Sequence, residues 1–247
     1  DTLDIRDPHA VDRLVTAWQP DVVVNCAAYT AVDRAEEEEE EAREINATAV
    51  GGLAAACNRV GAALVHVSTD YVFAGDASRP YREDDPVSPR SAYGRTKLQG
   101  EESARRADRH LIVRTAWLYG RGGHNFVEAI RTQIEGGSER LRVVADQTGC
   151  PTFCDDLAGA VLALVDVGAR GLVHAVNSGH TTWHGFAEEI VRTLGVDLVV
   201  EPVPTSAFPR PAPRPAFSVL DTSHLTQLVG HPMPPWQDAL HRYLETT

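Results

Sequence analysis

The sequence predicts an α/β protein built on a doubly wound parallel sheet. Two observations carry that prediction. Short β-branched apolar runs recur through the first half, and each is followed by a helical stretch. Strands that are apolar on both faces and alternate with helices imply a parallel sheet covered on both sides. The run Asp21–Ala28 is the first buried strand, Ala63–Ser68 the next and His110–Thr115 the third. Between them, the alanine-rich stretch Ala42–Val60 and the segment Ser91–Ala107 read as helices. An earlier helix should start at Asp7-Pro8, with proline in its first turn.

The second half is less regular. Asn125–Glu135 reads as a helix ended by Gly136-Gly137, and Cys154–Val167 and Trp183–Leu194 as two more. Glu201–Pro215, rich in proline and arginine, is expected to be irregular. Pro235–Leu244 should close the chain as a helix. We expect two lobes. The larger takes residues 1–120 and about 150–175, and a smaller α/β lobe takes 121–149 and 176–247.

Composition narrows the function. The 247 residues are 43% hydrophobic and 23% charged, ordinary for a globular protein. A net charge of −12 argues against a nucleic-acid binder, which needs a basic footprint. No run approaches the ~18 consecutive apolar residues of a membrane span. The four cysteines, Cys26, Cys57, Cys150 and Cys154, form neither a disulfide framework nor a metal set. No metal site is expected from them, and a reducing cytoplasm is the expected setting. The six glutamates Glu36–Glu41 read as a solvated helix start.

The chemistry centres on Tyr93-Gly-Arg-Thr-Lys97. A tyrosine and a lysine four apart on a helix share one face. An ammonium beside a phenol favours the phenolate, lowering its pKa toward the range useful for proton transfer. Ser68-Thr-Asp-Tyr-Val-Phe73 follows a buried strand, placing the Thr69 hydroxyl at the carboxyl edge, where open α/β sheets bind ligands. Asn25-Cys-Ala-Ala28 ends another strand with small residues, letting a flat cofactor approach the backbone. Asp4, just ahead of the first helix, either accepts from an adenine amine or simply sits in a loop.

These strings occur together with Arg114-Thr-Ala-Trp117, Asn125-Phe-Val127, Asp146-Gln-Thr-Gly-Cys-Pro-Thr152, Arg214-Pro215 and Ser218-Val-Leu-Asp221. In that order, over essentially the whole chain, they resemble the dTDP-4-dehydrorhamnose reductases, a family of extended short-chain dehydrogenases. The Asp-Gln-x-Gly-x-Pro-Thr string is far more specific than Tyr-x-x-x-Lys. The resemblance implies a Rossmann-like fold and NAD(P)H-dependent reduction of a dTDP-linked 4-keto sugar to dTDP-L-rhamnose.

By the same resemblance, Tyr93 would protonate the C4 oxygen, Lys97 would lower its pKa and hold the nicotinamide ribose, and Thr69 would polarise the ketone. Asp4 and Ile5 would flank adenine. Cys26, Ala27, Ala28, Val67, Ser68 and Thr115 would line the dinucleotide. Tyr71, Trp117, Asn125, Gln147, Pro151, Thr152 and Arg214 would form the sugar-nucleotide pocket. Related 4,6-dehydratases place a glutamate where this chain has Tyr71, so reduction is expected rather than elimination. Some relatives pair as homodimers with a magnesium ion between them; the resemblance extends to a homodimer and Mg²⁺ without locating ligands here.

The family's first strand and glycine-rich phosphate loop have no counterpart in this sequence, which starts at Asp1. We therefore expect about 35 further N-terminal residues, one βα unit plus a strand, in the native protein. The residue that selects NADPH over NADH belongs to that stretch. Two other readings share the motifs: a reductase or epimerase for another deoxysugar, and a non-catalytic partner such as the regulatory subunit of methionine adenosyltransferase. Retention of Tyr93 and Lys97 leans against the second.

Overall fold

The computed structural model describes residues 3–246; the expected lobe boundaries at residues 1 and 247 lie outside them. Helix α1 (Pro8–Trp18) starts where the Asp7 carboxylate accepts the amides of His9 and Ala10, and it ends at Gln19 in the left-handed region. Strand β1 (Val22–Asn25) follows. Next comes a continuous helical stretch: α2 (Glu39–Arg43), a π-turn over Glu44–Thr48, and α3 (Ala49–Val60), stopped by Gly61 at φ 73°. β2 (Ala63–Thr69), α4 (Ala92–Ala104, capped by Ser91) and β3 (His110–Thr115) complete the first half.

The second half comprises β4 (Leu118–Tyr119), α5 (Phe126–Glu135), β5 (Arg140–Val144), β6 (Thr148–Gly149), β7 (Thr152–Phe153) and α6 (Cys154–Asp166). After these come β8 (Gly171–His174), β9 (Thr181–Thr182), α7 (Trp183–Leu194), β10 (Val199–Val203), α8 (Ser223–Val229) and α9 (Trp236–Glu245).

The main sheet runs β1-β2-β3-β8, all parallel, with Val24 opposite Val65, Val67 opposite Val113 and Ile112 opposite Leu172. Its strands are apolar on both faces, as predicted. Leu64 and Ile112 pack toward Val11, Val50 and Leu53 of α1 and α3. Val65, Leu111 and Val113 pack the other way, toward Leu157, Val161 and Leu164 of α6. Strand β1 is the sheet's edge, and its Val24 is 46% exposed.

A second core gathers α5, α7 and α9 around β5 and β10, with Ile130, Leu141, Phe186, Ile190, Leu240 and Tyr243 buried. Two expectations change here. Glu201–Val203 lies in the segment read as irregular, yet it ends strand β10, which pairs parallel with β5, Pro202 opposite Val143. A two-stranded sheet has only edges, and an edge tolerates proline. Residues 217–233 do not join the smaller core. Val219 and Leu220 pack on Val72 and Phe73, and Leu225 and Met233 pack with the α6 side of the main sheet. Apolar burial, not chain order, decides where they sit.

The glutamate run is also more than a solvated face. Glu36 accepts from the Ala92 amide, Glu38 pairs with Arg34 and with the Tyr29 hydroxyl, and Glu39 pairs with Arg95 at 2.6 Å. The Glu36 and Glu39 bonds tie this segment to α4, which holds Tyr93 and Lys97.

Candidate active site

Parallel strands end on the same side, so β1, β2 and β3 deliver Asn25, Thr69 and Thr115 to one edge. Helix α4 approaches that edge closely. A Cβ on Gly94 would stand 2.3 Å from the Tyr71 carbonyl, so only glycine permits the approach. A cavity of about 300 Å³ results. It is lined by Cys26, Ala28, Val67, Ser68, Thr69, Tyr71, Tyr93, Lys97, Thr115 and Trp117, joining ten residues singled out from the sequence.

Thr69 Oγ1 donates to Asp70 Oδ1 at 3.0 Å and accepts from the Tyr71 amide at 3.2 Å. The Tyr93 phenol lines the same cavity. Lys97, 3% exposed, donates to the Val67 carbonyl at 2.7 Å. Burial lowers its ammonium to about 8. Burial likewise pushes the Asp70 carboxyl up to about 6, against the opposing bond from Thr69.

The Tyr93 phenol corrects the sequence reading. It stands at about 12, above an ordinary phenol, because burial raises it more than the Thr69 hydroxyl lowers it. Lys97 is turned onto the Val67 carbonyl and does not draw the phenol down.

A larger cavity, about 680 Å³, adjoins the first, and Tyr71 and Trp183 line both. Gln147 and Arg214 line it as expected. Arg214 pairs with Asp33 at 2.9 Å, Arg210 approaches the same carboxylate at 3.9 Å, and Gln147 Nε2 donates to Thr205 Oγ1 at 2.9 Å. At the boundary Trp117, at φ 47°, stacks on Trp183 with ring centroids 3.5 Å apart.

Six expected residues lie elsewhere. Asn125 caps α5: its oxygen accepts from Glu128, and its amide donates to Gly120 O at 2.9 Å. Thr152 is wholly buried and donates to Cys150 O, and neighbouring Pro151 is buried beside it. Asp4 is taken up by Arg6, and Ile5 packs against the core beside α1. Ala27 is exposed, its amide donating to Asn25 Oδ1. Conversely, Asp33, Asp70, Arg142, Trp183, Phe208 and Arg210 line the cavities without having been assigned a role. Only the prolines around Arg210 and Arg214, which stiffen that loop, offered a local signal.

Among the described residues, no group of three or more His, Cys, Asp or Glu side chains is placed to hold a metal ion, and no helix is long and apolar enough to cross a membrane.

The RmlD substrate binding domain family matches residues 1–247. The chain belongs to this family. It is 46% identical over 246 residues to dTDP-4-dehydrorhamnose reductase of Streptomyces griseus, covering 96% of this chain and 81% of that one. It is 47% identical over 247 residues to a probable dTDP-4,6-dihydroxy-2-methyloxan-3-one 4-ketoreductase of Streptomyces antibioticus, covering 97% and 82%. The solved dTDP-4-dehydrorhamnose reductase of Bacillus anthracis, in complex with NADP, superposes with a TM-score of 0.95 at 37% identity, over 99% of this chain and 87% of that chain. The family's Rossmann-like architecture is the one the sequence predicted.

Proposed function

We propose that this chain catalyses NAD(P)H-dependent reduction of the C4 ketone of dTDP-4-dehydro-β-L-rhamnose, giving dTDP-L-rhamnose. One observation carries the reading: Thr69, Tyr93 and Lys97 line a cavity that opens onto a second, arginine-bearing one. The nicotinamide end of a dinucleotide fits the smaller cavity. Its strand-edge walls are small and apolar, and the buried Thr115 Oγ1 that lines it has no partner among the described residues.

When bound, the reduced nicotinamide supplies a hydride to C4. Tyr93 supplies the proton to the C4 oxygen, and Thr69, its hydroxyl turned from Asp70 to the bound ketone, donates a hydrogen bond to the same atom, drawing charge onto it. Lys97 holds a positive charge in the wall of the same cavity. Arg210 and Arg214, sharing the single carboxylate Asp33, keep net positive charge for a diphosphate, which a guanidinium binds bidentately. Tyr71 supplies no carboxylate for proton abstraction at C5, so the chemistry stops at reduction.

NADPH is the cofactor of first choice, because the B. anthracis relative is in complex with NADP. No residue is assigned to Mg²⁺. Four unpaired cysteines suit a cytoplasmic setting.

A second reading is reduction of another dTDP-linked keto sugar, favoured by the S. antibioticus relative. Incubation with NADPH and each dTDP-4-keto-6-deoxy sugar, with the product identified by mass spectrometry and NMR, separates the two. Absence of NADPH oxidation with any of them would overturn both.

A further inference from the structure

Three residues that bond to one another behind the smaller cavity are each placed next to a residue of the site. Ser68 precedes Thr69 in β2, Arg114 precedes Thr115 in β3, and Glu101 lies one turn beyond Lys97 on α4. Glu101 is fully buried. It accepts from Arg114 Nε and Nη2 at 2.8 Å each, and from Ser68 Oγ at 2.6 Å. Arg105 approaches it at 3.7 Å from the end of the same helix. Arg114 is 2% exposed and lies over the Phe73 ring, 4.9 Å from its centroid.

A cross-brace alone does not need charge. Desolvating a buried ion pair cancels most of its attraction, and apolar side chains of the same volume often hold the elements as well. The group whose state does depend on charge is Lys97. It is the only lysine among the 247 residues, the other twenty-two cations being arginines. Arginine keeps its proton in any protein environment, whereas a buried lysine can lose it.

The groups that act on Lys97 are Glu101 on its own helix, the Val67 carbonyl and His66 from β2, and Cys26 after β1, with Tyr93 lining the same cavity. Burial keeps His66 neutral and Cys26 protonated. Glu101 is thus the carboxylate that answers the ammonium, and Arg114 and Ser68 fix where it stands.

We propose that Glu101 is a positioning residue of the reaction: anchored by Arg114 and Ser68 one turn beyond Lys97, it holds a negative charge that keeps Lys97 protonated. Its catalytic consequence rests on the reductase reading, but its electrostatic effect can be read without turnover.

With [¹³Cε]lysine the chain gives one lysine signal, identified by its loss in Lys97→Arg. In the unsubstituted chain it should titrate near 8. In Glu101→Gln it should titrate lower by at least ~1 pH unit, and the alkaline limb of kcat/KM should move down with it. The single variant strands the Arg114 charge, so Glu101→Gln/Arg114→Met, which removes both charges, is measured beside it. There the melting temperature should recover toward that of the unsubstituted chain while the lysine signal stays low. A signal that titrates at the original pH in either variant overturns the proposal and leaves a structural brace. Failure of the reductase reading shows separately, as absence of turnover in the unsubstituted chain with the lysine shift intact.

Discussion

Gly149→Ala should damage the site through a single methyl group. A Cβ on Gly149 would stand 2.4, 2.6 and 2.7 Å from Cε2, Nε1 and Cζ2 of Trp117. Carbon atoms in contact sit about 3.5–4.0 Å apart, so the indole must retreat by roughly 1 Å. It has nowhere easy to go. It is stacked on Trp183, within 6° of parallel, and Trp183 is backed by Phe126. The Trp117 backbone already sits at φ 47°, a strain of about 1–3 kcal/mol that only its surroundings maintain. Gly149 itself does not use the left-handed region, so alanine costs nothing in backbone terms.

The effect is therefore steric, about 1–3 kcal/mol of stability by the usual scale of overpacking. Trp117 lines the cavity of Tyr93, and displacement by ~1 Å beside reacting groups costs about 10²-fold in rate. We expect kcat/KM for the nucleotide sugar to fall 10- to 100-fold by that scale, with a lower urea midpoint. Steady-state NADPH oxidation and urea unfolding measure both. If kcat/KM stays within about threefold, well short of the misplacement scale, Trp117 does not position the sugar.

Three further outcomes follow from the geometry. Tyr93→Phe should lower kcat about 10²- to 10⁴-fold while NADPH still binds by fluorescence titration, because the Lys97–Val67 bond is untouched; an unchanged rate would remove Tyr93 as proton donor. Arg214→Ala should raise KM for the nucleotide sugar about 10- to 100-fold, the worth of a charged hydrogen bond, and leave the cofactor KM alone; a rise in both would place Arg214 elsewhere. Asp70 stands at about 6 against 3.8, so the native state holds this proton to higher pH than the unfolded chain does. Its cost is complete above pH 6, up to about 3 kcal/mol, and is relieved as the pH falls toward 4. Asp70→Asn should therefore be the more stable form at pH 8 and lose that advantage by pH 4; a pH-independent difference in urea unfolding would refute the assignment.

What the sequence revealed was what is local. Strands buried on both faces must be continuous apolar runs, so β2 and β3 could be read directly, as could β1 from the same apolar run although it lies half-exposed at an edge, and α7 was bounded to the residue. Tyr93 and Lys97 share a face by helical geometry alone. The partner of Trp117 could not be read, because Trp183 reaches it across the fold and no local pattern announces the stack. The Asp146–Thr152 string was specific, yet it mixed a residue of the pocket, Gln147, with Pro151 and Thr152, which serve packing. A recognisable string records that a segment is constrained, not what constrains it. Pro202 hid β10 because a rule for central strands was applied to an edge. The proton affinities were hidden for a related reason: sequence places charges near one another but does not say how much water surrounds them.

Those affinities bear on the direction of the reaction. A phenol at about 12 is protonated at any physiological pH, so Tyr93 begins each turnover holding the proton that a ketone needs as it becomes an alcohol. A phenol drawn down toward 7 would begin partly as a base, which suits alcohol oxidation. Burial thus keeps Tyr93 in its protonated form but makes it a weaker acid, so the proton leaves only as the ketone oxygen gains charge. The same burial makes the phenolate costly once the proton has left, and the buried Asp70 charge adds to that cost. Something nearby must return a proton quickly, and Lys97 at about 8 is the neighbouring group that is both protonated at neutral pH and able to release. A donor held high beside a lysine held low is a pair suited to reduction, and the Glu101 carboxylate behind that lysine sets how far below its usual value the lysine can fall.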